Sequence, residues 1–246
     1  MILLELLSIG MGDMIVMNKR ELLEKSLQSG FEDYELNHLS TMGDFLGRYP
    51  TLFKKIYRAF NTMEDSVKFE PEVGPSVSII LKRELNEVTI SRLNLNIVFD
   101  FDKFLRFIGL VDICYIEILP IGSVVELDLD FVPENIKKIS EKDNKGFRVM
   151  IVAQKVSIEE SEYIFADYAV TFWPFGIQKY GPPFLISNLM IKNLIHKGMS
   201  NDAEKEYLDK VKEKLVAHKM NSFMYLTKSE LKEVAVNPVK KGDLDG

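Results

Sequence analysis

The stretches that decide the fold are ILPIGSVVEL at 118–127, FRVMIV at 147–152 and YIFADYAVTFWPFG at 163–176. Each concentrates β-branched and aromatic residues in the manner of a strand, and polar segments separate them. The longest separator, at 132–146, is rich in Lys and Glu and has the composition of a surface loop. We therefore predict an antiparallel sheet in this part of the chain, with an aromatic cluster at the end of its third stretch.

The chain before residue 70 has helical periodicity instead. Asn18 and Glu21 have capping-box spacing, and apolar stripes predict two further helices at 33–46 and 49–62. After a Pro/Gly breaker cluster at 70–75, alternating residues at 77–82 and 88–99 predict a hairpin. The alternation slips between residues 90 and 93, which indicates a bulge or a break in the strand.

The middle and the end of the chain mix both periodicities. Asp100 is placed to cap a short helix that ends at Gly109, and a strand is predicted at 113–118. Residues 190–197 fit either a strand or a helix. Asn201 is placed to cap a helix that extends to about His218, and its inward-facing residues are predicted to be Tyr207, Leu208, Val211 and Leu215. Thr227 with Glu230 predicts one more short helix before a disordered tail at 237–246.

These elements predict an α+β protein: N-terminal amphipathic helices packed on a mainly antiparallel sheet, with a C-terminal helix. The expected organisation has four parts, which are a flexible lead-in at 1–17, helices plus the first hairpin at 18–112, the antiparallel sheet and its helix at 113–220, and a short helix with a tail at 221–246. Whether 18–112 and 113–220 share one core is left open by the sequence.

The composition excludes several classes of function. Net charge is −6, and residues 61–136 hold 14 Asp/Glu against 6 Lys/Arg without any basic stripe, which argues against nucleic acid as a ligand. The acidic middle suits either a solvated face or a basic partner. No segment is long and apolar enough to span a membrane. The single cysteine, Cys114, rules out a disulfide within the chain and predicts a buried thiol in a reducing cytoplasm.

Residues with catalytic or metal-binding chemistry are sparse and scattered. The three histidines (His38, His196 and His218) have no ligand-spaced partners, and no Gly-rich phosphate loop is present, so we predict no metal and no cofactor. Two carboxylate pairs, Asp100 with Asp102 and Asp128 with Asp130, keep an enzyme open as an alternative, although Asp100 has the position of a helix cap. We predict a protein that is not an enzyme.

The aromatic cluster offers the candidate binding residues, which are Phe172, Trp173, Phe175 and Tyr180. Such side chains either close the last strand of a core or form a binding hot spot for a protein partner. Tyr180, next to Pro182 and Pro183, extends the second possibility into an exposed patch.

Residues 118–200 also resemble an uncharacterised domain family of Gram-positive bacteria, which is found beside genes for LXG-type toxins exported by type VII secretion. Residues 119–125 match its first strand motif, 148–152 its second, and 165–168 with 173–176 its third. Residues 191–198 match its last segment, which favours a strand there. The layout of helices and sheet is also loosely similar to that of type VII secretion chaperones.

The resemblance implies a cytoplasmic chaperone or targeting factor that binds the helical targeting domain of a secreted toxin. The alternative within the same gene neighbourhood is an immunity protein that binds and neutralises the toxic domain, for which an acidic segment suits a basic nuclease. The part of the toxin that binds distinguishes the two.

Overall fold

The computed structural model describes residues 18–132, 137, 147–158 and 163–226, apart from the side chains of residues 179 and 180. The predicted lead-in, most of the predicted surface loop, and the helix and tail predicted after Thr227 lie outside these ranges.

Three amphipathic helices open the described chain, as predicted. The Asn18 side chain accepts a hydrogen bond from the Glu21 N–H, and the Glu21 carboxylate accepts one from the Asn18 N–H, so the predicted capping box is confirmed. Pro50 lies in the first turn of the third helix, where its missing N–H costs nothing. The helices are α1 (Lys19–Leu27), α2 (Leu36–Gly47) and α3 (Pro50–Thr62).

A four-stranded antiparallel sheet follows the helices, with its strands in chain order. The slip in alternation is a tight turn at Leu93, whose φ is 54°, so the second predicted segment is two strands rather than one bulged strand. The first strand was not predicted. The strands are β1 (Ser66–Phe69), β2 (Val77–Lys82), β3 (Glu87–Arg92) and β4 (Leu95–Asp100).

The helix predicted after Asp100 is confirmed, but it continues to Tyr115 as one long helix, α4 (Phe101–Tyr115). The helix end predicted at Gly109 and the strand predicted at 113–118 are therefore wrong. Every residue from Phe107 to Tyr115 is buried. This stretch therefore lacks the alternation of apolar and polar residues by which a sequence distinguishes a helix from a strand. Gly109 does not end the helix. A Cβ at this position would lie 2.3 Å from the Asn221 side-chain oxygen, so the glycine permits a close approach.

A six-stranded sheet fills the second half, in the order β10-β7-β6-β5-β9, with β8 paired to β7. The pairings are antiparallel except that between β10 and β7. The three strands of the deciding stretches are confirmed, and so is the strand favoured at 191–198. The strands are β5 (Val124–Leu127), β6 (Arg148–Ser157), β7 (Ile164–Phe172), β8 (Phe184–Ile186), β9 (Ile191–His196) and β10 (Asn221–Ser222).

Two helices accompany this sheet, the short α5 (Ile177–Tyr180) and the longer α6 (Asp202–Ala217). Asn201 caps α6 as predicted, since its side chain accepts the Glu204 N–H. Tyr207, predicted to face inward, is 48% exposed. The inward stripe is narrower than expected, because the face that Leu208, Val211 and Leu215 share is centred about 70° away from position 207.

The buried side chains form one contiguous core that extends from Leu22 to Tyr225 and takes residues from both sheets. Helix α4 contacts α1, α2, α6 and strands of both sheets, so it lies at the centre. The predicted α+β class is confirmed, with helices, antiparallel sheets and a C-terminal helix. In the described ranges, no helix combines the length and apolar composition that crossing a bilayer requires.

Candidate protein-binding surface

The aromatic cluster lies in a tight turn at the end of β7. The Trp173 N–H donates to the Arg148 carbonyl at 3.1 Å, which continues the pairing of β7 with β6 for one more residue. The Gly176 N–H then donates to the Phe172 carbonyl at 2.8 Å and closes the turn. The Trp173–Pro174 peptide bond is cis, and Gly176 has a φ of 62°. This backbone holds the aromatic side chains where the sheet meets solvent.

The four predicted binding residues occupy different environments. The Phe172 ring packs against the core, with its centroid 5.5 Å from that of Phe147 and 5.2 Å from that of Phe184. Trp173 and Phe175 face outward, with 45% and 38% of their surface exposed. Tyr180 ends α5, and its side chain lies outside the described part of the structure. Phe172 thus supports the turn, while Trp173 and Phe175 are accessible to a partner.

The edge strand β9 extends the apolar surface beyond the turn. Trp173 and Ile195 line a shallow cavity of about 180 Å³ together with Val124, Arg148 and His196. Ile195 is 46% exposed, and Ile177 directly after the turn is also exposed. We define Trp173, Phe175, Ile177 and Ile195 as the tryptophan patch. Sequence reasoning missed both isoleucines. Ile195 was missed because nothing in a single strand pattern marks the edge of a sheet, and Ile177 because one apolar residue after a turn carries no signal of its own.

The charges beside this patch are unevenly paired. On β9 and just after it, Lys192 lies 3.1 Å from Glu126 and Lys197 lies 2.6 Å from Glu117. Arg148, at the rim of the cavity, is exposed and lies opposite Glu126 on the neighbouring strand, whose carboxylate it attracts. An acidic side chain beside the apolar contacts of a partner would compete with Glu126 for this guanidinium.

A buried charged cluster lies apart from this surface, and sequence reasoning missed it. The Lys155 ammonium is 2.5 Å from the Asp167 carboxylate, and their side chains are 3% and 0% exposed. The second Asp167 oxygen accepts the Asn188 N–H at 2.9 Å. The signal in the sequence was one Asp within the otherwise apolar YIFADYAV strand, since a charge there requires a buried partner.

Two further charged groups, Asp112 of α4 and Lys212 of α6, are buried near this pair. Burial, reinforced by the nearby Asp167 carboxylate, raises the pKa of Asp112 to about 7. Burial lowers the pKa of Lys212 to about 8. The Lys212 ammonium donates to the Ile116 carbonyl at 2.9 Å and so completes the C-terminal end of α4. The cluster thus joins the helices α4 and α6 to the strands β6 and β7.

The two carboxylate pairs singled out in the sequence have structural partners. Asp100 caps α4 by accepting the Lys103 N–H at 2.7 Å, which confirms the predicted cap. Asp128 accepts the Asp130 N–H, and the Arg58 guanidinium lies 2.7 Å from Asp130.

No group of three or more His, Cys, Asp or Glu within the described ranges is arranged to hold a metal ion. Cys114 is buried in α4, where burial raises the pKa of its thiol to about 12.

The fold and this surface define an α+β protein whose second sheet ends in an exposed aromatic turn. Residues 118–207 match the family described as Domain of unknown function (DUF4176). The match covers β5 to β9 and the first turn of α6, so the tryptophan patch lies within it, and it confirms the predicted resemblance to an uncharacterised domain family. No curated protein and no solved structure matches the chain.

Proposed function

We propose that the protein is a non-enzymatic chaperone or targeting factor, which acts in the cytoplasm and binds a toxin of the LXG type for export by type VII secretion. The observation that carries this proposal is the exposure of Trp173 and Phe175 at the end of the family-matched sheet. Tryptophan and other aromatic side chains are enriched among the residues that dominate the binding energy of protein interfaces.

The surface suits an amphipathic helix better than an extended strand. The apolar groups of the tryptophan patch come from a turn and from the neighbouring edge of the sheet, and a small cavity lies between Trp173 and Ile195. One side chain of a helix would enter this cavity, and residues three or four positions along would contact Phe175 and Ile177. An acidic residue on the same helix would pair with Arg148.

In this proposal the acidic residues at 61–136 change how fast a partner binds rather than how tightly it is held. Charges outside the contact area change the association rate and its salt dependence more than the affinity. We therefore expect added salt to slow association with a basic partner while the dissociation rate stays nearly constant.

The acidic excess at 61–136 also favours a second candidate, an immunity protein that neutralises a toxic domain. A basic nuclease domain would be attracted by this segment rather than by the tryptophan patch. The two functions therefore predict different contact surfaces on this chain and different domains of the toxin.

Affinity co-purification of the tagged full chain from its native cytoplasm, with mass spectrometry, tests the proposal. We expect recovery of a toxin and, on truncation, binding of its helical targeting domain. Trp173→Ala should weaken the complex at least tenfold without changing the melting temperature, while Tyr207→Ala, an equally exposed aromatic outside the patch, should not. Binding of the toxic domain alone would favour immunity, and recovery of no toxin would refute both.

A further inference from the structure

The first strand motif of the family-matched segment begins with a turn at 119–123, whose sequence is LPIGS. Gly122 has a φ of 83°, and its N–H donates to the Ile151 carbonyl at 2.9 Å, so the turn is bonded to β6. The Ser123 side chain is fully buried, and its hydroxyl donates to the Pro120 carbonyl at 2.6 Å. The turn is therefore closed on itself and attached to the second sheet.

The same hydroxyl also holds the chain that leaves β9. The Gly198 N–H donates to the Ser123 Oγ at 3.0 Å, so this oxygen is a donor and an acceptor at once. A Cβ at position 198 would lie 2.9 Å from the Ser123 backbone nitrogen and closer still to the Ile121 carbonyl oxygen. Only glycine permits this approach, which attaches the chain to the turn two residues after His196.

Strand β9 contains a bulge just before this attachment. His196 pairs with Val124, and Leu194 pairs with the next residue of β5, so Ile195 is an extra residue between them. Neighbouring residues of a regular strand point to opposite sides of the sheet. Ile195 and His196 nevertheless both line the cavity beside Trp173, so the bulge places two consecutive residues in one wall of the cavity.

This arrangement depends on the register of β9. Within the described ranges β9 is bonded to β5 alone, so a neighbour on one side only holds its register. If the bulge closed by a shift of one residue, Ile195 would pair with Val124, and His196 would turn to the other face of the sheet. The same shift would carry Gly198 about 3.3 Å along the strand and break its hydrogen bond to Ser123.

We propose that Ser123 and Gly198 are positioning residues of the tryptophan patch, because their hydrogen bond fixes the register of β9. This register keeps Ile195 and His196 together in the wall of the cavity beside Trp173. The consequence for a toxin rests on the proposed function. The register itself is a property of the chain alone, so its test can fail while the proposed function holds, and the reverse.

Cross-strand nuclear Overhauser effects in the isolated full chain measure the register directly. In the wild type we expect an effect between Val124 and His196, which are paired. Ser123→Ala removes the hydroxyl, and we expect this effect to be lost and replaced by one between Val124 and Ile195. Ser40→Ala removes another fully buried hydroxyl, in α2, and should keep the wild-type pattern.

A second variant changes the contact from its other side, so the test does not depend on the folding of Ser123→Ala. Gly198→Ala places a Cβ against the Ile121 carbonyl and should cause the same change of register, while Met199→Ala, at the exposed neighbouring position, should not. In the wild type, the Gly198 amide should exchange its hydrogen as slowly as the amides of β6. Fast exchange of this amide, or the wild-type register in both variants, would overturn the proposal.

Discussion

Loss of Asp167 alone from the buried Lys155–Asp167 pair should destabilise the protein strongly, and loss of both charges should cost less than the sum of the two single changes. Asp167→Asn keeps an oxygen that accepts the Asn188 N–H, but it leaves the buried Lys155 ammonium without its 2.5 Å partner. Loss of one member of a buried ion pair costs about 3–5 kcal/mol, because the remaining charge stays desolvated. With side-chain exposures of 3% and 0%, both groups lie away from bulk solvent, so we expect a cost within this range for Asp167→Asn.

Lys155→Met should cost less near neutral pH. It leaves two carboxylates, Asp112 and Asp167, that repel each other. Asp112 already has a raised pKa and can take up a proton to relieve the repulsion. The double variant removes both members of the pair, so its cost should fall short of the summed single costs by about 2 kcal/mol.

Urea unfolding at constant pH measures these four free energies, provided that the m-values agree. Lys205→Met serves as the control, since Lys205 pairs with Asp202 on the surface with side-chain exposures of 67% and 101%, and we expect no measurable change there. Additive single costs, or a cost below about 1 kcal/mol for Asp167→Asn, would show that the cluster does not act as a desolvated network.

Three further predictions follow from the centre of the fold. Asp112 has a pKa of about 7 in the folded protein and about 4 in the unfolded chain. Between pH 4 and pH 7 the folded protein therefore holds a proton on Asp112 that the unfolded chain has lost, so the free energy of unfolding falls as the pH rises through this range. Relative to Asp112→Asn, the wild type should lose up to about 4 kcal/mol over this range in urea titrations, and parallel curves for the two proteins would contradict the assignment. Gly109→Ala should lower the melting temperature despite the better helix propensity of alanine, because the new Cβ would lie 2.3 Å from the Asn221 side-chain oxygen. A higher melting temperature would show that Asn221 moves aside without cost. The Cys114 thiol should react with a thiol reagent at pH 8 at least about a hundredfold more slowly in the folded protein than in urea, since burial raises its pKa, and equal rates would place it at the surface.

The sequence predicted elements well where each local pattern has only one structural solution. The Asn18 capping box, the Asn201 cap of α6 and the alternating strands were placed correctly, because these signals depend on neighbours three or four residues away or on a period of two. The second half of helix α4 was predicted wrongly for the opposite reason. Residues 107–115 are all buried and, apart from Asp112, contain no charged side chain, so their pattern does not distinguish a buried helix from a buried strand.

The candidate site was predictable only in part. Trp173 and Phe175 were found because aromatic density is visible in one stretch of sequence, whereas Ile195 joins them through a sheet register that links residues far apart in the chain. The buried charged cluster was missed for the same reason. Tertiary packing brings Asp112 and Lys212 close to the Lys155–Asp167 pair, and the spacing of these residues in the sequence does not predict that proximity.

The buried cluster also bears on how the family-matched segment holds together. Lys155 and Asp167 lie inside residues 118–207, but Asp112, whose charge acts on both, lies on α4 before that segment begins. Strand β10, which pairs with the start of β7, lies after the segment ends. Lys212, which completes the C-terminal end of α4, also lies beyond it. The matched segment thus obtains one edge of its sheet and part of its buried electrostatics from flanking chain, so residues 118–207 alone lack some of the contacts that hold the sheet presenting the tryptophan patch.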